Sequence, residues 1–175
     1  KDVIEMNYQS FIRDIPDFPK KGIVFKDITP LLSDSVAFKQ IINDMAAPFR
    51  KEQIDCIVAI EARGYILGAP IAYELGSGLA LVRKKGKLPW ETIQTEYSLE
   101  YGSATLEIHR DAIKPGQNVL IVDDILATGG TLKASIDLVE ELGGSVTGLL
   151  VLAELCSLGG KAQFNGYQLV SILEL

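Results

Sequence analysis

Short, predominantly apolar segments alternate along this chain with segments whose apolar residues recur at helical spacing. The apolar segments are four to seven residues long and rich in Val, Ile and Leu, which is typical of strands buried on both faces of a sheet. They lie at residues 54–60, 79–82, 119–122, 146–152 and 169–173, with helical patterns at 38–45, 66–75 and 132–142. Because strands separated by helices build βαβ units, the chain is predicted to fold as an α/β protein with a mostly parallel core sheet flanked by helices.

Two segments interrupt this alternation. Residues 18–32 combine prolines with irregularly spaced apolar residues, which predicts an ordered coil or a small subdomain rather than a layer of the sheet. Residues 86–108 are polar and alternating around Tyr101 and Gly102, which predicts a solvent-facing β-hairpin inserted between two core strands. Insertions of this kind tend to be lids or ligand loops. No repeat or flexible linker marks a boundary, so residues 1–175 are predicted to form a single domain.

The charge balance and the lengths of the apolar segments limit the partners of this chain. Seventeen Lys and Arg against 23 Asp and Glu give a net charge of −6, so no global field would hold it on nucleic acid or an anionic membrane. The apolar segments are far shorter than the roughly 20 residues of a membrane span, and no targeting signal is recognisable, which predicts a cytoplasmic protein. Two distant cysteines and one histidine exclude a Cys/His zinc site and a disulfide scaffold.

Residues 119–131, VLIVDDILATGGT, have the pattern of a phosphate-binding loop. An apolar strand leads to Asp123 and Asp124, and a turn of small residues then opens a helix. Glycine tolerates positive φ and lets backbone N–H groups turn inward, while a helix N-terminus adds free donors and the positive end of its dipole. The two carboxylates suit adjacent sugar hydroxyls, so the whole segment indicates a phosphorylated sugar. Taken separately, paired acids are also typical of a solvated strand end, and paired glycines of an ordinary turn.

This segment resembles the phosphoribosyl pyrophosphate motif of the type I phosphoribosyltransferase family. Three further segments, at residues 18–32, 82–90 and 97–109, resemble the corresponding stretches of those family members that use adenine. The similarity spans residues 15–161, which is most of the chain.

The resemblance implies the type I phosphoribosyltransferase fold, with an N-terminal hood at about residues 7–32 and a flexible hairpin lid at about residues 86–108. It implies a transferase of purine salvage, in which adenine and phosphoribosyl pyrophosphate give AMP and pyrophosphate through an oxocarbenium-like transition state. Mg²⁺ is expected as the cofactor, carried by the substrate phosphates rather than by a protein metal motif. The family also implies a homodimer.

The resemblance assigns the phosphate and ribose contacts to two parts of the chain. The 5-phosphate falls to five consecutive loop residues, Ala127, Thr128, Gly129, Gly130 and Thr131. Asp123 and Asp124 match the ribose-contacting acids, whose charge would also favour the developing cation. Arg63 follows the first core strand, where the family has a tight pyrophosphate loop, often with a non-proline cis peptide. Without the resemblance, Glu61 and Arg63 are more typical of a solvated strand end than of a ligand site.

A basic cluster of Arg83, Lys84, Lys85 and Lys87 stands out in this acidic sequence and indicates an anion site without any family knowledge. By resemblance, Arg83 reaches the site of the neighbouring subunit, Lys87 binds pyrophosphate and Lys84 is a further substrate contact. Lys84 and Lys85 are also typical of plain surface charges, and Lys85 stands where the family often has proline.

The resemblance places base recognition in the hood. The Val24 backbone would read the amidine edge of adenine, Phe25 would stack on the ring and Leu155 would close the other side. Backbone readout would reject a 6-oxo group, whose reversed hydrogen-bond polarity leaves buried groups unpaired. Lys26 is a further predicted contact, although arginine is commoner at this position in the family. A role in the core is an equally open interpretation of Val24 and Phe25 from the residues alone.

On the lid, the resemblance makes Glu100 and Tyr101 substrate contacts. Lid closure would exclude water from the cationic sugar. Glu100 is the candidate to bond N7 of the base or to manage its proton. An isolated glutamate is otherwise most often a surface residue.

Two alternatives to an adenine-specific enzyme stay open at this point. A phosphoribosyltransferase for a 6-oxopurine would share the phosphate motif, but the hood sequence argues against it. A non-catalytic regulator that senses phosphoribosyl pyrophosphate would need a DNA-binding module, for which these 175 residues are expected to have no room.

Overall fold

The computed structural model describes residues 6–98 and 103–175, and the chain divides into two compact units at Asp44. The N-terminal unit holds an antiparallel pair of strands, β1 (Arg13–Pro16) and β2 (Val24–Asp27), in which Ile15 lies opposite Phe25. It also holds α1 (Thr29–Ser33) and most of α2 (Ser35–Ala46). Asp34 caps α2, because its Oδ1 accepts the N–H groups of Val36 and Ala37 at 3.0 and 2.9 Å. Residues 18–32 therefore contain a strand and a short helix and add no strand to the large sheet.

The C-terminal unit is built on one seven-stranded sheet with the order β5-β6-β4-β3-β7-β8-β9. Its strands are β3 (Cys56–Ile60), β4 (Gly78–Lys84), β5 (Thr92–Ser98), β6 (Ser103–His109), β7 (Asn118–Leu126), β8 (Ser145–Glu154) and β9 (Leu169–Glu174). β4, β3, β7, β8 and β9 are parallel neighbours, and they correspond to the five predicted apolar segments. The prediction of a mostly parallel core sheet is confirmed.

Two helices cover opposite faces of this sheet, α3 (Arg63–Leu75) and α4 (Gly130–Glu141). Alternate strand residues such as Val58 and Ile60 belong to the buried cluster that includes the inner face of α4. The residues between them face α3, where a Cβ added at Gly68 would lie only 2.7 Å from the Cβ of Ala59. Because side chains alternate along each strand, one face of the apolar sheet packs against α4 and the other face packs against α3. The prediction that helices flank the sheet is confirmed.

The predicted hairpin is present, since β5 and β6 pair antiparallel from Thr92 opposite His109 to Ser98 opposite Ser103. The expectation that it faces solvent is wrong for much of its length. β6 joins the large sheet by pairing with the end of β4, and Leu106 and Ile108 are buried with Ile93 in the α4-side core. Pairing with β4 buries these apolar side chains in the core, whereas the Ser98–Ser103 end of the hairpin does not pair with β4.

The carboxyl ends of β3, β4, β7 and β8 lie at the same edge of the sheet, because these strands are parallel. We call this edge the carboxyl edge. The ends of these strands and the segments that follow them carry Arg63, the basic cluster, the acid pair with its glycine loop, and Leu155. Within the part of the chain that is described, no helix is long and apolar enough to cross a bilayer.

Candidate active site

The glycine loop joins the end of β7 to the start of α4. Gly129 has a φ of +93° and precedes the first helical residue, Gly130. This left-handed conformation favours glycine, and it lets the chain turn sharply into the helix. The loop lines a small cavity of about 60 Å³ that extends from Asp123 to Leu132. Backbone donors and a helix N-terminus around a cavity of this size suit a phosphate group.

The acid pair is buried at the end of β7, with only 8% of Asp123 and 6% of Asp124 exposed. The Asp124 N–H donates to Asp123 Oδ1 over 2.8 Å. Burial raises the pKa of Asp123 well above its ordinary range, and the negative charge of Asp124 raises it further. The alternative that these acids are a solvated strand end is therefore wrong.

Arg63 links the loop after β3 to the acid pair. Its Nε lies 2.6 Å from Asp124 Oδ2, and it is the first residue of α3. The Glu61–Ala62 peptide just before it is cis, as is common in the family that the sequence resembles. The helix start packs tightly on β7, because a Cβ at Gly64 would lie 3.0 Å from the Val122 carbonyl oxygen. The structure thus brings together the residues predicted for pyrophosphate and for ribose.

Glu61 organises the start of the basic cluster. Its carboxylate accepts the Lys84 N–H at 3.0 Å and pairs with the Arg83 guanidinium at 3.2 Å. Burial alone would raise the pKa of Glu61, but the backbone donor and the guanidinium outweigh it and lower the pKa. Arg83 Nη1 also donates to the Lys87 carbonyl oxygen over 3.1 Å, whereas Lys84, Lys85 and Lys87 are exposed.

A carboxylate that the sequence analysis missed supports the same loop. Glu107 is 2% exposed, and its Oε1 accepts the N–H groups of Lys87 and Leu88 at 2.9 and 2.8 Å. Gln94 Nε2 donates to Oε2 over 3.3 Å. Burial raises the pKa of Glu107, but these donors outweigh it and lower the pKa. Its place between two apolar strand residues predicts an outward-facing side chain, and only the pairing of β6 with β4 reveals its role.

The hairpin and the glycine loop share a second cavity of about 360 Å³. Glu96 and Tyr97 of β5 line one side, while Thr128, Gly130 and Lys133 line the other. The two lid residues predicted for substrate contact, Glu100 and Tyr101, lie outside the described residues. The arrangement of β5 nevertheless places Glu96 and Tyr97, near the Ser98–Ser103 end of the hairpin, beside the phosphate loop.

The residues predicted for the base lie in both units. Leu155 follows β8 at the carboxyl edge, and its N–H donates to the Leu126 carbonyl oxygen over 2.9 Å. Val24, Phe25 and Lys26 lie on β2. Val24 is 48% exposed, so the interpretation of this residue as core is wrong. Phe25 packs edge-to-face on Phe18 with ring centroids 5.2 Å apart, and Lys26 Nζ pairs with Asp14 at 2.8 Å.

This fold, with a glycine loop, a buried acid pair and an arginine at one sheet edge, defines a phosphoribosyltransferase. The chain belongs to the phosphoribosyl transferase domain family, whose sequence pattern matches residues 32–171. Its branch of that family is the adenine phosphoribosyltransferases. The enzyme of this name from Kosmotoga olearia is 54% identical over 168 residues, covering 96% of this chain and 99% of the relative.

Solved structures of the same branch share the fold. The crystal structure of adenine phosphoribosyltransferase from Thermoanaerobacter pseudethanolicus has a TM-score of 0.93 and 53% identity, covering 96% of this chain and 98% of that one. The enzyme from Saccharomyces cerevisiae, complexed with an imino-altritol bisphosphate and adenine, has a TM-score of 0.87 and 36% identity, covering 94% of this chain and 95% of that one. The prediction of the type I phosphoribosyltransferase fold is confirmed.

Proposed function

We propose that the carboxyl edge of the C-terminal unit is the site at which this chain converts adenine and phosphoribosyl pyrophosphate to AMP and pyrophosphate. The observation that carries the proposal is the contact of Arg63 with Asp124, directly before a loop suited to phosphate. The cation, the acid pair and the phosphate loop then match the pyrophosphate, the ribose and the 5-phosphate of phosphoribosyl pyrophosphate. The identity of 53–54% to adenine phosphoribosyltransferases over nearly the whole chain supports adenine over a 6-oxopurine and an enzyme over a non-catalytic regulator.

In this reaction N9 of adenine forms a bond to C1 of the ribose while the bond from C1 to the pyrophosphate oxygen breaks. The electron pair of the broken bond leaves with pyrophosphate, and the ribose carries positive charge in the transition state. Asp123 and Asp124 favour that charge and accept the ribose hydroxyls, while the loop from Ala127 to Thr131 holds the 5-phosphate. Arg63 binds the pyrophosphate, and in the free protein its charge is balanced by Asp124.

For the base, Val24 of the N-terminal unit supplies backbone groups to the amidine edge and Phe25 stacks on the ring, while Leu155 of the C-terminal unit is a further base contact. The exposure of Val24 supports this role, because a buried strand residue would not be available to a ligand. Lys26 contributes chiefly through its backbone, since its side chain is paired with Asp14. Adenine in the related yeast structure is consistent with the same choice of base.

Mg²⁺ is proposed as the cofactor. Within residues 6–98 and 103–175 there is no group of three His, Cys, Asp or Glu side chains that could hold a metal ion. The oxygen chemistry of the site fits Mg²⁺, which keeps most of its waters and binds through phosphates with few protein ligands. Bound in this way, it would neutralise charge on the departing pyrophosphate. The side chains of this chain would then bind the loaded substrate.

The lid and the subunit arrangement are further parts of the proposal. Glu100 bonds N7 or takes the base's proton, and Tyr101 helps to exclude water when the hairpin closes over the adjoining loop. A homodimer is supported by exposed apolar residues on the α3 side of the sheet, namely Ile66, Tyr73, Leu79 and Leu81. Arg83 lies two residues beyond this surface and completes the neighbouring site, while Lys87 binds pyrophosphate and Lys84 is a further substrate contact. A cytoplasmic location stays a prediction from the sequence.

A turnover screen tests the function. Adenine, hypoxanthine, guanine and xanthine are each incubated with phosphoribosyl pyrophosphate and Mg²⁺, and the nucleotide product is quantified. We expect AMP from adenine, and kcat/KM lower by at least about 10³-fold for the 6-oxopurines, because their mispaired polar groups would be buried. Comparable turnover of hypoxanthine would refute the assignment of the base. Omitting Mg²⁺ in the presence of EDTA is expected to abolish turnover and tests the cofactor.

A further inference from the structure

A short 3-10 helix, Gly160–Phe164, lies against the glycine loop and was not singled out by the sequence. It contacts the loop at three points, through Gly160, Gln163 and Phe164. The loop itself lines the small cavity from Asp123 to Leu132. The helix therefore supports the loop from outside that cavity, and we call it the brace.

Gln163 fixes one peptide of the loop, because its side-chain Nε2 donates a hydrogen bond to the Thr128 carbonyl oxygen. In a trans peptide the carbonyl oxygen and the following N–H point in opposite directions. A Thr128 carbonyl directed at the brace therefore directs the Gly129 N–H away from it. An anion held by this loop needs N–H groups with that orientation.

Gly160 allows the preceding peptide, between Ala127 and Thr128, to lie close against the brace because it has no side chain. A Cβ built on Gly160 would overlap the Ala127 carbonyl oxygen and would lie 3.0 Å from the Thr128 carbonyl carbon. The Ala127 carbonyl is thus seated directly on the Gly160 backbone, and the Thr128 N–H points away from the brace. Gly160 has no positive φ that would itself require glycine, so this close approach is the reason for a glycine here.

The brace is anchored independently of the loop. Phe164 is 3% exposed and belongs to the main apolar cluster, and Lys161 Nζ pairs with the buried Glu154 at 3.4 Å. Phe164 also packs on the loop, because a Cβ at Gly129 would lie 3.1 Å from its Cε2. A fixed brace can hold two peptides in a set orientation, which a flexible one could not.

We propose that Gly160 and Gln163 are positioning residues that orient the Thr128 and Gly129 N–H groups toward the 5-phosphate. The proposal rests on the proposed function, since it takes the loop to be the 5-phosphate site. It adds two residues that act through the backbone of the loop and determine how tightly the phosphoribosyl end is held. Pyrophosphate, bound at Arg63 and the basic cluster, should not depend on them.

The test compares Gln163→Met and Gly160→Ala with wild-type protein in titrations with ribose 5-phosphate and with inorganic pyrophosphate. Methionine keeps the length of glutamine but cannot donate, so we expect affinity for ribose 5-phosphate to fall about three- to tenfold. Gly160→Ala should lower it by more than about tenfold, because the loop must move. Pyrophosphate affinity should change by less than about twofold in both variants. In steady-state kinetics, KM for phosphoribosyl pyrophosphate should rise more than kcat falls.

Matched controls are available in the same unit. Gln168→Met makes the same change at an exposed residue just before β9, at the opposite end of the strands from the loop. Gly78→Ala adds a Cβ that would lie 3.5 Å from the nearest atom beyond its chain neighbours, the Asp55 carbonyl oxygen, which is an ordinary van der Waals contact. Both controls should bind ribose 5-phosphate like wild type.

Wild-type affinity for ribose 5-phosphate in both Gln163→Met and Gly160→Ala would overturn the proposal, as would an equal loss of ribose 5-phosphate and pyrophosphate binding. Thermal unfolding confirms that each variant is folded. If Gly160→Ala does not fold, the exposed Gln163 carries the test alone. Failure of wild-type protein to bind ribose 5-phosphate would instead refute the proposed function, and this inference with it.

Discussion

Arg63 Nε and Asp124 Oδ2 lie 2.6 Å apart, so the cation expected to bind pyrophosphate is paired with an acid expected to bind ribose. The pair joins the start of α3 to the end of β7. Each residue balances the charge of the other before substrate arrives. Substrate binding must therefore exchange this contact for contacts with phosphate and hydroxyl oxygens.

The first prediction is that Arg63 and Asp124 are coupled. Arg63→Ala and Asp124→Asn should each lower kcat/KM by more than about tenfold. The double variant should lose less than the product of the two single losses, because residues in one ion pair are not independent. Kinetics of the four proteins measure the coupling. The exposed pair of Arg50 and Glu74, 2.8 Å apart, is the control, and its double variant should retain wild-type kcat/KM. Multiplicative losses at Arg63 and Asp124 would contradict the coupling.

A second prediction concerns the free energy of unfolding of Asp123→Asn. Because the folded-state pKa of Asp123 is raised, its stabilising contribution is present at acidic pH and is lost as the pH rises through that pKa. Asparagine keeps the Oδ1 acceptor for the Asp124 N–H without a buried charge. The variant should therefore be more stable than wild type at neutral pH and similar below about pH 4, the ordinary range of aspartate.

Urea unfolding at both pH values, with kinetics at neutral pH, checks this prediction. We expect Asp123→Asn to gain stability at neutral pH while kcat/KM falls by more than about tenfold. Asp111→Asn at an exposed site is the control and should change neither quantity. A variant less stable than wild type at neutral pH would show that burial of the Asp123 charge is not the dominant effect.

The third prediction concerns Glu107, whose carboxylate holds the backbone of Lys87 and Leu88. Glu107→Gln replaces one acceptor oxygen with a donor in a buried site, so we expect a loss of about 1–3 kcal/mol in the free energy of unfolding at neutral pH. Since the folded-state pKa is lowered, wild type loses this advantage as the pH falls below about 4, the ordinary range of glutamate. Urea unfolding of both proteins should therefore converge in acid. Equal stability of the two proteins at neutral pH would contradict the role of the carboxylate, and Glu91→Gln is the exposed control.

The fourth prediction is that Arg83 acts on the neighbouring subunit. Arg83→Ala and Asp124→Ala should each be nearly inactive alone. When the two are unfolded together and reassembled, about half the dimers are mixed, and each mixed dimer has one site with both residues intact. Activity should recover to about a quarter of wild type if assembly is random and the sites are independent.

Size-exclusion chromatography and separately tagged chains verify the mixed dimers. In the structure Arg83 pairs with Glu61 of its own chain. If Arg83 instead acts within its own chain during turnover, no active site of a mixed dimer has both Arg83 and Asp124 intact. A verified mixture that stays inactive would then refute the role in the neighbouring subunit.

The parallel strands could be predicted because each is buried on both faces and so leaves a run of apolar residues. The phosphate loop could be predicted because glycine, small residues and acids are consecutive in the chain. The hairpin could not be placed in the same way. Leu106 and Ile108 alternate with polar neighbours, and alternation does not reveal that β6 pairs with β4.

Most of the functional residues that the sequence did not predict act through contacts with residues that are distant in the chain. Glu107 supports a loop 20 residues before it, and Gln163 bonds to a carbonyl 35 residues before it. A glutamate between apolar residues and a glutamine in a polar segment are both ordinary in sequence. Their roles follow from where the strands and the brace bring them, which no local pattern encodes.

Because the strands are parallel, the amino ends of the strands lie together at the edge of the sheet opposite to the carboxyl edge. The turns at that edge contain none of the residues of the C-terminal unit that are proposed to bind substrate. Gly116 lies in such a turn with a φ of +83°, and a Cβ there would meet no atom within 4 Å. This turn is therefore a suitable point for insertion of a peptide tag or for attachment to a solid support. A chain tethered there would keep its catalytic edge directed away from the support, so immobilised protein should retain the turnover of the free form.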